Sequence, residues 1–291
     1  MKLLGTRAHK KKLELAFSVA EDVPDFLLGD PARLRQIVVN LVGNAIKFTL
    51  EGEVVLRVNT TSKSDDEVQL EISVSDTGIG IPPDKIDHVF ESFQQADTST
   101  TRSFGGTGLG LAISTRLVEL MSGKISCESV VGQGSVFRVE VPFGIAHGYQ
   151  SSSRDPVVVH GTRVLVVDDN ETNRRILVEM CTNWGMIAAA VGSADDAMSL
   201  LDSARADEPY VLLLSDVHMP LTDGFGLCEM IRADGRYADL KIIMLTSGGR
   251  PEDAVRRQQL NIAGHLLKPV KQSELFDSIV TLLEVNATEA T

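Results

Sequence analysis

The sequence predicts two domains. The first is α+β, with a mixed, mostly antiparallel sheet that has helices on one face, and the second is α/β, with a five-stranded parallel sheet. Two observations lead to this fold class. The length of 291 residues leaves room for two hydrophobic cores. Strand-like runs with period two dominate the first half, whereas short apolar runs alternate with helical patterns from residue 162 onward. We therefore expect domains at 1–146 and 162–285, a linker at 147–161 and a tail at 286–291.

The elements of the first domain follow from the spacing of apolar residues. After Gly29-Asp30-Pro31, apolar side chains recur every three or four residues as far as Phe48, which predicts a helix with one apolar face. Residues 76–110 are rich in Gly, Pro, Ser and Thr and predict a long functional loop region. The other expected elements are a helix at 109–121 and strands at 11–20, 53–59, 67–75, 124–129 and 134–142.

The second domain shows the pattern of βαβ units around a parallel sheet. Its strands are short apolar runs, and each is followed by a helical pattern. The five expected strands lie at 163–167, 187–191, 211–215, 241–245 and 265–267.

Composition excludes several functional classes. A net charge of −12 disfavours general binding to nucleic-acid phosphates, which requires basic patches. Three widely spaced cysteines without a CxxC pair indicate a reducing compartment and no zinc site. No run of about 18 apolar residues occurs, so we expect no membrane contact from this segment and a cytoplasmic location, whether alone or as the cytoplasmic part of a larger sensor.

Three polar residues of the first predicted helix lie on one face, since Asn40, Asn44 and Lys47 are spaced i, i+4 and i+7. Two amides and a cation can hold a metal ion and phosphate oxygens, although a merely solvated face is the alternative. Asp76 follows a strand and precedes two glycines that permit close approach of a planar ligand. The glycine string 105–110 runs straight into a helix, whose N-terminal amides suit an anion. Neither glycine string is specific alone.

Together and in this order, these segments resemble the ATP-binding domain of sensor histidine kinases, which has the Bergerat fold. RLRQIVVNLVGNAIKFT resembles the N box, DTGIGIP the first Gly box, VFESFQQ the Phe box and RSFGGTGLGLAI the lid and second Gly box. The resemblance covers nearly all of residues 10–143 and implies that ATP and Mg²⁺ are the cofactors.

The resemblance also implies roles for individual residues. Asn40 and Asn44 would hold Mg²⁺ and phosphate, Lys47 would pair with phosphate, Phe48 would line the pocket and Asp76 would bind the adenine amine. Gly78 and Gly80 would let the base approach. The residues expected around the phosphates are Arg102, Gly106, Thr107, Gly108, Leu109 and Gly110. Phe90 and Phe93 would anchor the lid, with plain core packing as the alternative.

Asn40 also bears on the type of reaction. ATPases of the gyrase and chaperone kind carry a Glu at this position, where it activates the hydrolytic water. An amide cannot accept that proton. The residue therefore favours phosphoryl transfer to protein over hydrolysis as the main activity.

A second group of polar residues follows the strands of the second domain. Asp168-Asp169, Asp216, Thr246 and Lys268 each come at the end of a predicted strand. The carboxyl ends of parallel strands meet at one edge of the sheet, where ligands bind. Three carboxylates there would repel one another unless they share a cation such as Mg²⁺. The alternative is that all five are only strand-end caps.

The motifs VLVVDDN, LLSDVHMPLTDGF, IIMLTS and HLLKPV resemble those of response-regulator receiver domains, which have a flavodoxin-like fold. The resemblance makes Asp216 the phosphate acceptor. It also implies Mg²⁺ ligands from Asp168, Asp169, Asp216 and the backbone carbonyl of His218, with Thr246 and Lys268 binding the phosphoryl group. His265 stands at the switch position, which is usually Tyr or Phe, and this departure puts aromatic-coupled signalling in doubt.

The sequence has no visible phosphodonor histidine. None of its six histidines is followed by Asp or Glu, as that residue normally is. Three alternatives remain open: part of a hybrid sensor kinase, a standalone nucleotide-binding module with a phosphorylatable receiver, and a true ATPase. The first implies a histidine-containing dimerisation domain, upstream or on a separate chain, and a downstream phosphotransfer protein as partners.

Overall fold

The structure is a computed structural model that describes residues 2–91, 109–148, 159–205, 207–248 and 251–289. The chain separates into two compact units, residues 1–152 and 153–291. Within the predicted linker at 147–161, residues 149–158 lie outside the described residues. None of the helices in the described ranges is long and apolar enough to cross a membrane.

The described part of the first unit contains three α-helices and six strands. In chain order they are α1 (Lys2–Lys10), β1 (Glu14–Val19), β2 (Leu27–Leu28), α2 (Pro31–Phe48), β3 (Glu53–Lys63), β4 (Glu67–Asp76), α3 (Gly110–Leu120), β5 (Lys124–Val130) and β6 (Gly134–Ile145). Two short 3₁₀ turns, Pro83–Lys85 and Asp87–Phe90, lie within the predicted loop region. The sequence pattern did not predict α1 or β2.

The sheet of the first unit is mixed and mostly antiparallel, which confirms the predicted fold class. Its order is β1-β3-β4-β6-β2, and β5 also pairs with β6. Among the strand pairs of the described residues in this unit, β1 with β3 is parallel and the others are antiparallel. Alternate residues of β4 (Val68, Leu70, Ile72 and Val74) are buried and join α1, α2 and α3 in one core. The three helices therefore share the buried face of the sheet.

Among the side chains that the structure describes in helix α1, from Leu4 onward, Leu4 and Ala8 are buried, and they lie one turn apart. It ends where Lys12 adopts a positive φ of 58°. The amide of Leu13 donates to the carbonyl of Ala8 at 3.0 Å, and that of Lys12 donates to His9 at 2.9 Å. This pair of bonds is the Schellman arrangement, which closes a helix and fixes the direction of the following chain.

The described part of the second unit alternates five strands with five α-helices. They are β7 (Arg163–Val167), α4 (Glu171–Asn183), β8 (Ile187–Val191), α5 (Ala194–Ser203), β9 (Leu212–Asp216), α6 (Gly224–Ala233), β10 (Lys241–Thr246), α7 (Pro251–Gln259), β11 (Gly264–Leu267) and α8 (Gln272–Glu289). Helix α8 continues four residues past the predicted domain end at 285, so residues 286–289 extend this helix.

The second sheet is entirely parallel, with the order β11-β10-β9-β7-β8. In chain order this is the 2-1-3-4-5 arrangement of flavodoxin-like folds, as predicted. Residues Leu212–Leu214 and Ile242–Leu245 are fully buried because helices cover both faces. Leu201 of α5 and Phe225 of α6 pack on one face. Trp184 and Phe276 bring the ends of α4 and α8 together, with ring centroids 5.0 Å apart.

Candidate nucleotide and phosphoacceptor sites

The orientation of α2 is set by its cap and its apolar stripe. The Asp30 side chain accepts hydrogen bonds from the amides of Ala32 and Arg33 at 3.0 and 3.1 Å, and Pro31 occupies the first turn. The stripe packed on the sheet consists of Ile37, Leu41, Val42, Ala45 and Ile46. The predicted polar face of Asn40, Asn44 and Lys47 is consequently turned away from the core and is half-buried.

The two asparagines meet the start of α3. Asn40 Nδ2 donates to the carbonyl of Gly110 at 3.2 Å and to Ser114 Oγ at 3.3 Å. A Cβ atom added to Gly110 would lie 3.9 Å from Cγ of Asn40 and from Nδ2 of Asn44. The structure thus brings together three predicted phosphate-site residues. It adds Ser114, which is fully buried and was not singled out from the sequence.

The predicted base-binding residues lie where β4 ends. The amide of Gly78 donates to Asp76 Oδ1 at 2.8 Å. A Cβ on Gly78 would lie 2.6 Å from the carbonyl oxygen of Phe48, so no side chain fits there. Gly80 has a φ of 69°, and its Cβ would lie 2.2 Å from the carbonyl oxygen of Val130. Both glycines are therefore required by the close approach of backbone segments.

Burial acts on the two charged groups of this site. It raises the pKa of Asp76, and hydrogen bonds from the amides of Gly78 and Ser135 partly oppose this shift. Burial also lowers the pKa of Lys47, whose Nζ lies 4.6 Å from the centre of the Phe48 ring. A ligand that donates a hydrogen bond to the carboxylate and presents an anion to the ammonium would stabilise both charged forms.

The remaining predicted residues of the nucleotide site are not part of this cluster or lie outside the described ranges. Phe90 packs edge-to-face on Phe137 with ring centroids 6.2 Å apart and lies against the core, which is the packing alternative for that residue. Leu109 directly precedes α3 and is half-buried. The predicted residues that lie outside the described ranges are Phe93, Arg102, Gly106, Thr107 and Gly108.

In the second unit, three carboxylates gather at the predicted edge. Asp168, Asp169 and Asp216 each offer an oxygen, and these oxygens lie within 4.8 Å of one another. Lys268 Nζ lies 2.8 Å from Asp168 Oδ2 and 2.9 Å from Asp216 Oδ2. The side chains of Asp168, Asp216 and Lys268 are only 0%, 2% and 7% exposed. Because a hard oxygen donor set of this kind suits Mg²⁺, these residues fit the predicted metal site.

Main-chain contacts fix the geometry of this cluster. The guanidinium of Arg174 donates to the carbonyls of Asp168 and Asp169 at 2.7 and 2.9 Å, and the amide of Asn170 donates to Asp168 Oδ1 at 2.9 Å. A Cβ on Gly224 would lie 2.1 Å from the carbonyl oxygen of Asp216, so only glycine fits at the start of α6. The residue pattern did not predict a role for Arg174, because its partners are backbone atoms, which leave no signature in the residue types.

Thr246 and Lys268 complete the arrangement. Thr246 is buried at the end of β10, and its hydroxyl donates to the carbonyl of Gly248. The amide of Lys268 donates to the carbonyl of Thr246 at 2.7 Å, and the Lys268-Pro269 peptide bond is cis. The ends of four neighbouring strands therefore bring the predicted side chains to one edge of the sheet.

A cavity of about 380 Å³ opens beside Asp169. His218 is exposed and lines it, together with Asp223, Asp253 and Arg256. The metal-ligand role of the His218 carbonyl stays a prediction. His265 lies on β11 with part of its side chain exposed to solvent. Partial burial and the charge of Arg257 lower its pKa, and Asp253 opposes this shift.

Comparison with protein families assigns each of the two domains to a family. Residues 29–145 match the family described as histidine kinase-, DNA gyrase B- and HSP90-like ATPase, and residues 164–280 match the response regulator receiver domain. The chain is a histidine kinase-type ATPase domain followed by a receiver domain. This confirms the family resemblances that the motifs indicated.

Two curated proteins align with nearly the whole chain, across both of its domains. The Sensory/regulatory protein RpfC of Xanthomonas campestris pv. campestris is 36% identical over 313 residues, covering 96% of this chain and 42% of that protein. The signal transduction histidine-protein kinase BarA of Escherichia coli K12 is 42% identical over 277 residues, covering 95% of this chain and 29% of BarA. The chain thus spans less than half the length of these curated relatives.

A solved structure resembles the chain as well. Full-length ShkA, crystallised in complex with AMPPNP, has 31% sequence identity and a TM-score of 0.71, with 97% of this chain and 54% of ShkA covered. The ATPase family implies binding of ATP, typically with Mg²⁺.

Proposed function

We propose that this chain is the ATP-binding and phosphate-accepting part of a two-component hybrid histidine kinase. In this proposal the γ-phosphoryl group of ATP passes to a histidine supplied elsewhere and then to Asp216. The observation that carries the proposal is the coexistence of two sites: a polar face of α2 beside Asp76, and a buried carboxylate cluster bound by Lys268. The proposal places the chain in the cytoplasm, where ATP and Mg²⁺ are available.

In the ATPase domain, the nucleotide would lie along the polar side of α2. Residues 40 and 48 are about 12 Å apart along the helix axis, so a nucleotide could place its base near Asp76 and its phosphates near Asn40 and Asn44. Asp76 would accept a hydrogen bond from the adenine amine, and Lys47 would pair with a phosphate oxygen. Because Asn40 Nδ2 is bonded to Gly110 and Ser114, its Oδ1 is the atom that would face a metal ion.

In the receiver domain, Asp216 would act as the nucleophile. One carboxylate oxygen would attack the phosphorus of a phosphohistidine whose other ring nitrogen is protonated. The P–N bond would break, its electron pair would stay on the ring nitrogen, and neutral imidazole would leave, giving an acyl phosphate on Asp216. Lys268 would stay paired with the new phosphoryl group, and the hydroxyl of Thr246 would donate a hydrogen bond to it. Mg²⁺ held by Asp168, Asp169 and Asp216 would neutralise charge on the transferred group.

The phosphodonor histidine is proposed to come from a dimerising helical domain, and the receiver would pass the group to a downstream phosphotransfer protein. Asn40 supports transfer over hydrolysis, since its amide cannot deprotonate water. The alternative of a standalone nucleotide-binding module makes a different prediction, because such a module would bind ATP without labelling an added histidine domain.

The test mixes the chain with radiolabelled ATP, Mg²⁺ and a separate histidine-containing dimerisation domain taken from a relative. We expect label on the histidine domain and then on this chain. Asp216→Asn should abolish label on the chain while nucleotide binding and labelling of the histidine domain persist. Asp76→Asn should lower both labels strongly at subsaturating ATP, because nucleotide binding is weakened. Labelling of the Asp216→Asn chain at the normal level would contradict the assignment of the acceptor.

A further inference from the structure

A lysine outside all the motifs holds the end of the proposed nucleotide-binding helix. Lys11 Nζ donates hydrogen bonds to the carbonyl oxygens of Ile46, Lys47 and Thr49, at 2.7, 2.8 and 3.2 Å. The last carbonyls of a helix have no partner within the helix, and a positive charge is favoured at that end. Lys11 therefore caps the C-terminus of α2 from a segment that lies 35 to 38 residues earlier in the chain.

The backbone that carries Lys11 is firmly placed. Leu4 and Ala8 of α1 are buried in the core of the ATPase domain, with 4% and 1% exposure. The Schellman bonds from Lys12 and Leu13 close α1 directly around Lys11. The lysine side chain is itself largely exposed, so its hydrogen bonds to α2 can be removed without opening a cavity in the core.

The capped end of α2 connects directly to the proposed nucleotide site. Lys47 and Phe48 form its last turn, and the carbonyl of Phe48 accepts a hydrogen bond from the amide of Ile79 at 3.3 Å. The same carbonyl lies against Gly78, whose amide is bonded to Asp76. A shift or fraying of this turn would therefore move both the phosphate-side lysine and the loop that orients the base-binding carboxylate.

We propose that Lys11 is a positioning residue for nucleotide binding, through which the segment 2–11 holds the last turn of α2 in its binding-competent form. The inference rests on the proposed function of this same site. Helix ends open at little free-energy cost, so the binding-competent fraction is sensitive to a lost cap. Apparent affinity falls in proportion to that fraction.

The experiment compares three variants of the full chain. Lys11→Met removes the donor and keeps the apolar stem. Lys10→Met removes the same charge from the neighbouring exposed residue and is the matched control. Lys11→Arg retains a cation that can reach the carbonyls. The dissociation constant for Mg²⁺·ADP is measured by isothermal titration calorimetry, and hydrogen exchange is followed at the amides of residues 46–49 and 79 without nucleotide.

We expect Lys11→Met to bind Mg²⁺·ADP about three- to tenfold more weakly and to exchange those amides faster. Lys10→Met and Lys11→Arg should stay within about twofold of the unsubstituted chain. A merely structural lysine would lower thermal stability without changing affinity at a temperature where every variant is folded. Unchanged affinity and exchange in Lys11→Met would overturn the inference. Absence of binding by the unsubstituted chain would instead refute the proposed function, and the inference with it, whatever the exchange data show.

Discussion

Replacing Lys268 by Met tests the electrostatics of the receiver site. The ammonium lies 2.8 and 2.9 Å from two carboxylates that are almost inaccessible to solvent. At an effective dielectric constant of about 20, each contact corresponds to about 6 kcal/mol of Coulomb attraction before desolvation is counted. Desolvation offsets most of this gain, but removing one partner leaves buried charge uncompensated. We expect Lys268→Met to lower the free energy of unfolding by about 3–5 kcal/mol in metal-free buffer.

A double-mutant cycle isolates the pair. Asp216→Asn leaves the Lys268 ammonium paired with one buried carboxylate, that of Asp168. We therefore expect the free energy of unfolding to change by no more than about 1 kcal/mol. In the double variant, the loss of the Lys268 ammonium leaves fewer buried negative charges uncompensated. We therefore expect the double variant to be more stable, by at least about 1 kcal/mol, than the sum of the two single effects predicts. Added Mg²⁺ should stabilise Lys268→Met more than the unsubstituted chain, because the metal takes over the compensating charge.

The assay is urea denaturation followed by tryptophan fluorescence. The chain has a single tryptophan, Trp184, which is buried in the receiver domain against Phe276. Its fluorescence therefore reports unfolding of the receiver domain, and the ATPase domain contributes no tryptophan signal. A Lys268→Met variant within about 1 kcal/mol of the unsubstituted chain, or strictly additive effects in the cycle, would refute this reasoning.

Three further predictions concern the ATPase domain. Asp76→Asn should weaken ADP binding about tenfold or more, since a hydrogen bond to a charged group is lost. Because burial raises the pKa of Asp76, the Asp76→Asn variant should be at least as stable as the unsubstituted chain at pH 7 by calorimetry. As the pH falls toward 3.8, the stability of the unsubstituted chain should rise relative to that of the variant, because the folded state binds a proton at Asp76 more readily than the unfolded state does. Lys47→Met should weaken ATP binding about tenfold in a calorimetric titration and leave adenosine binding unchanged. Lys12→Gly should raise the stability of the domain by up to about 1 kcal/mol in thermal unfolding, because Lys12 has a positive φ of 58°, which glycine adopts without strain. Ser122 has a φ of 57°, so Ser122→Gly should raise the stability in the same way.

Most of the fold could be predicted because its signals are local. Helix α2 has a capping Asp30, a proline in its first turn and an unbroken apolar stripe. The receiver strands are short apolar runs, and four of the five either end in a polar residue or are followed directly by one. Their predicted bounds differ from the observed ones by at most one residue. Periodicity and strand-end chemistry are properties of single segments, so one sequence suffices to recognise them.

The remaining features depend on contacts between distant segments. Leu4 and Ala8 are the buried positions among the described side chains of helix α1, which are too few to establish a periodic pattern, and β2 has only two residues. Arg174 and Lys11 act on main-chain carbonyls, which carry no residue identity. Ser114 is buried only because α3 packs on α2. None of these could be read from residue types and spacing.

The intact mass of the purified chain is the decisive measurement for the proposal that Asp216 accepts a phosphoryl group whose histidine donor lies elsewhere. One sample is incubated with acetyl phosphate and Mg²⁺, another with ATP and Mg²⁺, each beside Asp216→Asn. We expect addition of one phosphoryl group from acetyl phosphate, none from ATP alone, and none to Asp216→Asn in either sample. Addition from ATP alone would reveal a phosphodonor within the chain, and no addition from acetyl phosphate would contradict the assignment of the receiver site.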